Sequence, residues 1–263
     1  MADFMWIGTN GIIVFSTLIF LLGLLIGSFL NVCIYRIPLK EDIAVERSHC
    51  MKCGHVLQWY ELIPLFSWII QGGKCRACKA KISIQYPIVE LGNALAWMAI
   101  VLMHGYRWET ILYCLCASCM IVIAVIDERT KEINLGLNIF IAVLGAVRLF
   151  LDLSNWPLYL IGMAAISVPF LIIVLVSKER AMGLGDVYLM AGIGLLVGWK
   201  QVLFATAIGC ILGSIIHLIR MAVSKKKEHQ LAFGPYLCLG TYIILLFGQI
   251  IVDWYTKTFF YFN

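Results

Sequence analysis

Charged side chains are scarce in this sequence, which has 263 residues of which only 13% are Asp, Glu, Lys or Arg. Hydrophobic residues make up 62%, and the mean hydropathy is +0.93. This composition excludes an ordinary soluble domain and is typical of a protein that crosses a membrane several times. Residues 1–10 contain no Lys or Arg, so we expect no removable signal peptide ahead of the first apolar run.

Long polar stretches are also few, and the apolar runs between them predict an all-α polytopic membrane protein. Each run is long enough, or nearly so, to cross the hydrocarbon core as a helix. Eight spans are expected, at residues 11–32, 87–103, 110–126, 136–151, 157–176, 185–199, 201–221 and 233–252.

The cations are clustered, and their positions predict the orientation of the spans. Sixteen of the twenty Lys and Arg residues follow the first, third, fifth and seventh spans. The positive-inside rule places these connectors in the cytoplasm and both termini outside. Tryptophans at the opposite ends of the spans form the expected aromatic belt: Trp6, Trp108, Trp156, Trp199 and Trp254. The net charge of +5 therefore reflects topology, and we expect a lipid bilayer and no nucleic acid as a partner.

One connector, residues 33–86, is long enough to form a domain. We therefore predict a first transmembrane helix at 1–32, a cytoplasmic loop domain at 33–86 and a helical membrane domain at 87–263. Two CxxC pairs, Cys50/Cys53 and Cys75/Cys78, lie within this loop with twenty-one residues between them. Paired CxxC knuckles supply four thiolates for a tetrahedral zinc ion, and a reducing cytoplasm disfavours disulfides. Four protein ligands leave no open position, so the zinc is expected to be structural.

An acidic residue within an apolar run is the first candidate for catalysis. Asp186 lies near the start of residues 181–198, directly after Gly183 and Gly185. A carboxylate beside lipid is costly, so it predicts a functional, polar cavity at one membrane face. The glycines let the backbone bend there and approach a substrate closely. The alternative is a helix end whose acid merely reaches the interface.

A second carboxylate, Asp127, closes the third span on the same side of the membrane. Two facing carboxylates cannot both ionise easily, so one acts as base toward water and the other as acid toward a scissile carbonyl. This is the division of labour of an aspartic protease. Glu90 is a third acid at a helix end, either shaping the site or favouring its helix N-terminus electrostatically.

Together, these motifs resemble those of the bacterial type IV prepilin peptidases, the GxGD aspartic membrane proteases that process prepilin leaders. The likeness extends from about Gly27 to Gly240. It rests on GSFLNVCIYRIP (27–38), the CxxC pairs with WYELIPLFSWI between them, ISIQYPIVELGNAL (82–95), the Asp127 region, the GxGD motif at Gly183–Asp186 and FGPYLCLG (233–240).

The resemblance implies cleavage of a short basic leader from prepilins or pseudopilins of pili, type II secretion or competence systems. Cleavage would occur after a glycine at the cytoplasmic face of the inner membrane, with Asp127 and Asp186 as the catalytic pair. For many members it also implies methylation of the new N-terminus with S-adenosylmethionine. Two positions depart from the family pattern: Ile133-Asn134 lacks the usual proline, and Tyr188 replaces a common lysine.

Two other function classes are compatible with buried acids. One is a presenilin-like protease that cuts within the bilayer, which the cysteine loop and the GSFLNV motif disfavour. The other is a non-enzymatic channel or assembly scaffold whose acids carry ions. Cleavage of a prepilin by membranes that contain the protein separates these classes.

Overall fold

The computed structural model describes residues 9–180, 182–223 and 232–260, and it is helical over most of this length. Within these residues the only β-structure is two isolated bridges in the cysteine-bearing loop. The helices are α1 (Thr9–Leu39), α2 (Phe66–Ile70), α3 (Gln85–His104), α4 (Trp108–Thr130), α5 (Leu135–Leu151), α6 (Trp156–Ser177), α7 (Leu184–Val197), α8 (Trp199–Val223) and α9 (Gly234–Phe260).

The predicted polytopic helical fold is confirmed, with a long helix at each of the eight expected spans in the described part of the chain. Six of them are long and apolar enough to cross a membrane, whereas α5 and α7 have only 17 and 14 residues. Trp108, Trp156 and Trp199 are the first residues of α4, α6 and α8, at the helix ends that the sequence assigned to one membrane face. Trp6 lies outside the described residues.

The chain divides by its internal contacts into two units, and the first comprises the described residues up to Thr110. Its helices α1 and α3 pack closely because glycines of α1 face α3. A Cβ added at Gly23 would lie 2.7 Å from the Cα of Ala94, and one added at Gly27 would lie 2.7 Å from the Cα of Glu90. This is the close approach that small residues allow between membrane helices. The domain boundaries drawn from the sequence at residues 33 and 87 stay predictions.

The second unit begins at Ile111 and is built around α7, which packs against α5, α6 and α8. Nine of the fourteen residues of α7 are buried, so protein rather than lipid surrounds this short helix. A helix that is apolar on all sides is expected to be buried in this way. Gly192 and Gly194 provide the close contacts with α5 and α6. The central position of α7 explains how a helix of only about 21 Å can be accommodated.

Candidate active site and cysteine cluster

Asp186 lies in the first turn of α7, at the position where the sequence predicted a helix break. Gly183 precedes the helix in an extended conformation, and Leu184 is its first residue. The backbone N–H of Gly183 hydrogen-bonds the Asp186 carboxylate, as acids in the first turn of a helix commonly accept from the N-cap. The side chain is buried, and its Oδ1 atom has no hydrogen-bond partner among the described residues.

Asp127 lies three residues before the end of α4 and is also buried. Its Oδ2 atom accepts a hydrogen bond of 3.0 Å from the backbone N–H of Gly234, the first residue of α9. The unpaired N–H groups of a helix N-terminus favour a carboxylate there. Each aspartate is thus held by the N-terminal backbone of a helix, Asp186 by that of α7 and Asp127 by that of α9.

The two carboxylates are close enough to interact electrostatically. Ile133 packs between the backbone segments that hold them. A Cβ added at Gly185 would lie 2.8 Å from the Cβ of Ile133, and one added at Gly234 would lie 3.3 Å from its Cδ1 atom. Ile133, one of the two departures from the family pattern, therefore contacts both glycine segments beside the aspartates.

The turn before Asp186 is also fixed from α5. Asn138 is buried, and its Nδ2 atom donates a hydrogen bond of 3.1 Å to the carbonyl oxygen of Gly185. Asn134 caps the same helix by accepting from the N–H of Gly136. Asn134 thus caps α5 in a segment that lacks the proline of the family pattern.

The two glycines of the GxGD motif differ in their surroundings. Beyond its immediate chain neighbours, the nearest described atom to a Cβ added at Gly183 would be the backbone nitrogen of Gly185, at 3.9 Å. A Cβ added at Gly185 would instead collide with the side chain of Ile133. Gly183 therefore leaves open space near Asp186, whereas Gly185 permits close packing.

In the first unit, the four cysteines of the two CxxC pairs come together. Their Sγ atoms all lie within 4.8 Å of one another, with 3.8 Å between Cys50 and Cys78 and 4.0 Å between Cys53 and Cys75. Four sulfurs at about 2.3 Å from a tetrahedral zinc ion would be separated by about 3.8 Å. The donor set and its spacing therefore fit a structural zinc ion.

The two CxxC turns have the same backbone design. The N–H of Cys50 donates to His55 O and that of Cys75 donates to Ala80 O, both at 2.8 Å. The fourth residue after the first cysteine has a positive φ in both turns, at Gly54 and at Lys79. In the first turn, the backbone N–H groups of Lys52 and Cys53 lower the pKa of the Cys50 thiol to about 6. This favours a thiolate at Cys50, the form that binds metal.

Glu90 lies in the first unit, on α3, and its environment was not predicted. Its Oε2 atom accepts a hydrogen bond of 2.8 Å from the N–H of Leu65, a residue with φ of +60° at the start of α2. Glu90 is six residues into its helix and buried, so it does not act as a first-turn acid. It connects the cysteine-bearing loop to α3 and lines a cavity of about 400 Å³.

Sequence reasoning missed two residues that hold the aspartates, Gly234 and Asn138. Gly234 belongs to the FGPYLCLG motif, which was recognised in the sequence. The motif alone does not show that the backbone N–H of Gly234 contacts Asp127. Asn138 could have been suspected because an amide within an apolar helix requires a partner. Its partner, a backbone carbonyl 47 residues away along the chain, has no signal in the sequence.

Two family models match this multi-pass helical protein with its paired aspartates and its cysteine cluster. One describes the bacterial peptidase A24 N-terminal domain and matches residues 21–104, and the other describes the type IV leader peptidase family and matches residues 114–218. No solved structure matches the chain.

Relatives named prepilin leader peptidase/N-methyltransferase cover most of the chain. The relative from Myxococcus xanthus is 35% identical over 82% of this chain and 67% of its own length. The relative from Bacillus subtilis is 32% identical over 92% of this chain and 98% of its own length. The relative from Pseudomonas aeruginosa is 32% identical over 90% of this chain and 92% of its own length. The chain belongs to the type IV leader peptidase family.

Proposed function

We propose that this protein is a membrane aspartic endopeptidase that removes the leader of prepilins or pseudopilins, with Asp127 and Asp186 as its catalytic pair. The observation that carries the proposal is the burial of two electrostatically interacting carboxylates, each held by a helix N-terminus. Family membership supplies the substrate class, because the relatives are named for prepilin processing.

The proposed chemistry follows from the different contacts of the two acids. Paired carboxylates share a proton, so one polarises the scissile carbonyl as an acid while the other removes a proton from the attacking water. Asp127 Oδ2 is fixed by Gly234, whereas Asp186 Oδ1 has no partner among the described residues. The unsatisfied Oδ1 of Asp186 is an acceptor that the shared proton or a substrate group would satisfy.

We place the site at the cytoplasmic face of the inner membrane, with both termini outside. Support comes from the cations beside the acids, since Arg129 lies in the last turn of α4 and Lys178 and Arg180 follow α6. A prepilin with an apolar helix and a basic leader would adopt the same orientation. Its cleavage site would then lie at the membrane boundary, at the level of the acids.

The relatives' names also include N-methyltransferase activity, and we propose that the new N-terminus is methylated with S-adenosylmethionine as methyl donor. The four cysteines would hold one structural zinc ion in the first unit. Because a four-thiolate site has no open position, the zinc would stabilise the loop and take no part in hydrolysis.

The test is cleavage of a purified prepilin by the purified protein in detergent. Asp127→Asn and Asp186→Asn should each lower the rate by about a thousandfold, since an amide cannot carry the shared proton. The double variant should be hardly worse than either single one, because the pair acts as a unit.

The matched control is Glu128→Gln, which removes the carboxylate next to Asp127. Glu128 is exposed and pairs with Arg220 at 3.0 Å, on the surface of the second unit. A surface ion pair contributes little, so this variant should cleave at close to the parent rate. Substantial cleavage by either single aspartate variant would contradict the assignment of the pair.

A further inference from the structure

An exposed apolar surface lies on the cysteine-bearing loop, at the short helix α2 and the residues just before it. Ile69 is 64% exposed and Ile70 is 75% exposed, although both are large apolar side chains. Neighbouring apolar side chains that stay exposed together mark an interaction surface. We call the exposed apolar residues of this segment the α2 face: Leu62, Ile63, Phe66, Ile69 and Ile70.

The helix α2 has two different sides. Trp68 is fixed to the loop, because its Nε1 atom donates a hydrogen bond of 3.4 Å to the carbonyl oxygen of Ile82. A Cβ added at Gly73 would lie 2.8 Å from the Trp68 ring, so the ring also packs closely against that turn. Phe66, Ile69 and Ile70 follow the spacing i, i+3, i+4 and therefore share one side of the helix. The α2 face thus points away from the contacts that hold the helix in the loop.

The hydrogen bond from Leu65 to Glu90 sets the level of α2 relative to the membrane. Glu90 Oε2 accepts from the Leu65 N–H at 2.8 Å, and Ser28 of α1 hydrogen-bonds the same carboxylate. The helix α3 has 20 residues and rises about 30 Å, which equals the thickness of the hydrocarbon core. Because α3 begins at Gln85, the Cα of Glu90 lies about 7 Å inside that thickness. Even with the Glu90 side chain leaning toward the helix N-terminus, α2 begins close to the level at which the acyl chains start.

The charged residues that follow the α2 face are all of one sign. Residues 62–89 contain no Asp or Glu, and their four cations are all exposed: Lys74, Arg76, Lys79 and Lys81. The guanidinium of Arg76 lies over the ring of Tyr60, 5.0 Å from its centre, which keeps one of these cations beside the apolar segment. Basic residues next to an apolar surface helix are attracted to anionic phospholipids. The charge of the loop is therefore complementary to a bilayer surface.

We propose that the α2 face is a membrane-docking surface, which inserts Phe66, Ile69 and Ile70 among the headgroups of an anionic phospholipid bilayer while the neighbouring cations bind lipid phosphates. The cysteine-bearing loop is then a peripheral membrane element and not a domain surrounded by water. Lipid is favoured over a protein partner because α2 is hydrogen-bonded to a helix that itself is long enough to span the bilayer, near the end of that helix. Docking holds the loop at the membrane boundary, and the inference is independent of the peptidase chemistry.

The experiment is photo-cross-linking of the full-length protein in vesicles of phosphatidylethanolamine and phosphatidylglycerol. The photoreactive residue p-benzoylphenylalanine replaces Ile70 in one variant and Phe66 in a second. The matched control carries it in place of Val45, an apolar residue of the same loop that is 79% exposed. Val45 belongs to a turn that Arg36 holds through two backbone carbonyls, and Arg36 lies about 12 Å beyond Ser28 along α1. Lipid adducts should be about tenfold more abundant at position 70 than at position 45, since an interfacial helix buries its apolar face about 5–10 Å in the lipid.

The identity of the cross-linked lipid tests the contribution of the cations. Adducts at position 70 should contain more phosphatidylglycerol than its share of the vesicles, and Arg76→Gln combined with Lys81→Gln should remove this enrichment. Adducts without enrichment in the parent sequence would overturn the role assigned to the cations.

Thermal unfolding in detergent shows whether each labelled protein keeps the parent fold. If the replacement of Ile70 lowers the midpoint, the replacement of Phe66 decides the question. Equal lipid labelling at positions 70 and 45, or no lipid adduct at positions 66 and 70, overturns the proposal. Cross-linking to an added prepilin, or within the protein itself, in place of lipid assigns the α2 face to a protein contact and overturns the proposal as well.

Discussion

The side chain of Asn138 donates a hydrogen bond to the carbonyl oxygen of Gly185, the residue immediately before Asp186. Asn138 belongs to α5 and Gly185 to the first turn of α7. The bond therefore fixes the backbone that presents the carboxylate. Asn138 is 2% exposed, so the bond is shielded from bulk water.

We predict that Asn138→Leu lowers kcat for prepilin cleavage about tenfold while KM stays within about twofold, because a buried carbonyl that loses its hydrogen-bond partner costs about 1–3 kcal/mol. A small loss of orientation at Asp186 affects the chemical step more than substrate binding. The control is Asn155→Ala, which removes an exposed asparagine whose side chain, among the described residues, bonds Asp152 in the α5–α6 turn. Equal kcat values for Asn138→Leu and the parent would show that the bond does not position Asp186.

The contact between Gly234 and Asp127 gives a second prediction. A Cβ at position 234 would lie 2.7 Å from Asp127 Oδ2, closer than such atoms approach. Gly234→Ala should therefore displace the carboxylate and lower cleavage by about a hundredfold, by weakening general acid–base catalysis. Gly92→Ala is the matched control, because a Cβ at that helical glycine meets nothing within 4 Å. Parent-like cleavage by Gly234→Ala would mean that the Asp127 carboxylate tolerates displacement.

The helices were predictable because the physics behind them is local. Hydropathy located all eight long helices, and the GxGD glycines marked the start of α7 at Leu184. The family resemblance, carried by short motifs, is confirmed by the family matches. The four cysteines were also predictable as a cluster, since CxxC spacing already brings two sulfurs together.

Contacts between distant segments were not predictable in the same way. The hydrogen bond from Gly234 to Asp127 depends on how α9 packs against α4. The hydrogen bond from Asn138 to Gly185 depends on the register of α5 against α7. Ile133 packs against Gly185, which explains why a residue without a side chain is needed at position 185. The motif alone could not show this contact. The role of Glu90 was left open because its partner, Leu65 N–H, lies in an irregular loop.

The GxGD glycines should respond differently to valine. At position 183 the added side chain would enter open space, whereas at 185 it would collide with Ile133. Gly185→Val should lower both the thermal midpoint and cleavage, because overpacking typically costs about 1–3 kcal/mol. Gly183→Val should keep the midpoint and lower cleavage, since its bulk would occupy space beside the aspartates that an extended substrate needs. The checks are thermal unfolding and initial rates on the same preparations; unchanged rates in both variants would exclude a substrate-facing role for this turn.

Removal of the metal should unfold the cysteine-bearing loop. We predict about one zinc ion per chain, and its loss in Cys50→Ser or Cys75→Ser should expose residues 40–84 to proteolysis, because metal binding supplies folding free energy there. The control is Cys210→Ser, which changes an exposed cysteine on α8 outside the cluster and should leave the zinc content and the protease pattern unchanged. Elemental analysis and limited proteolysis measure the two effects. A loop that stays resistant after zinc has been removed would show that its hydrogen bonds, such as those of Arg36 to three backbone carbonyls, suffice to hold it without metal.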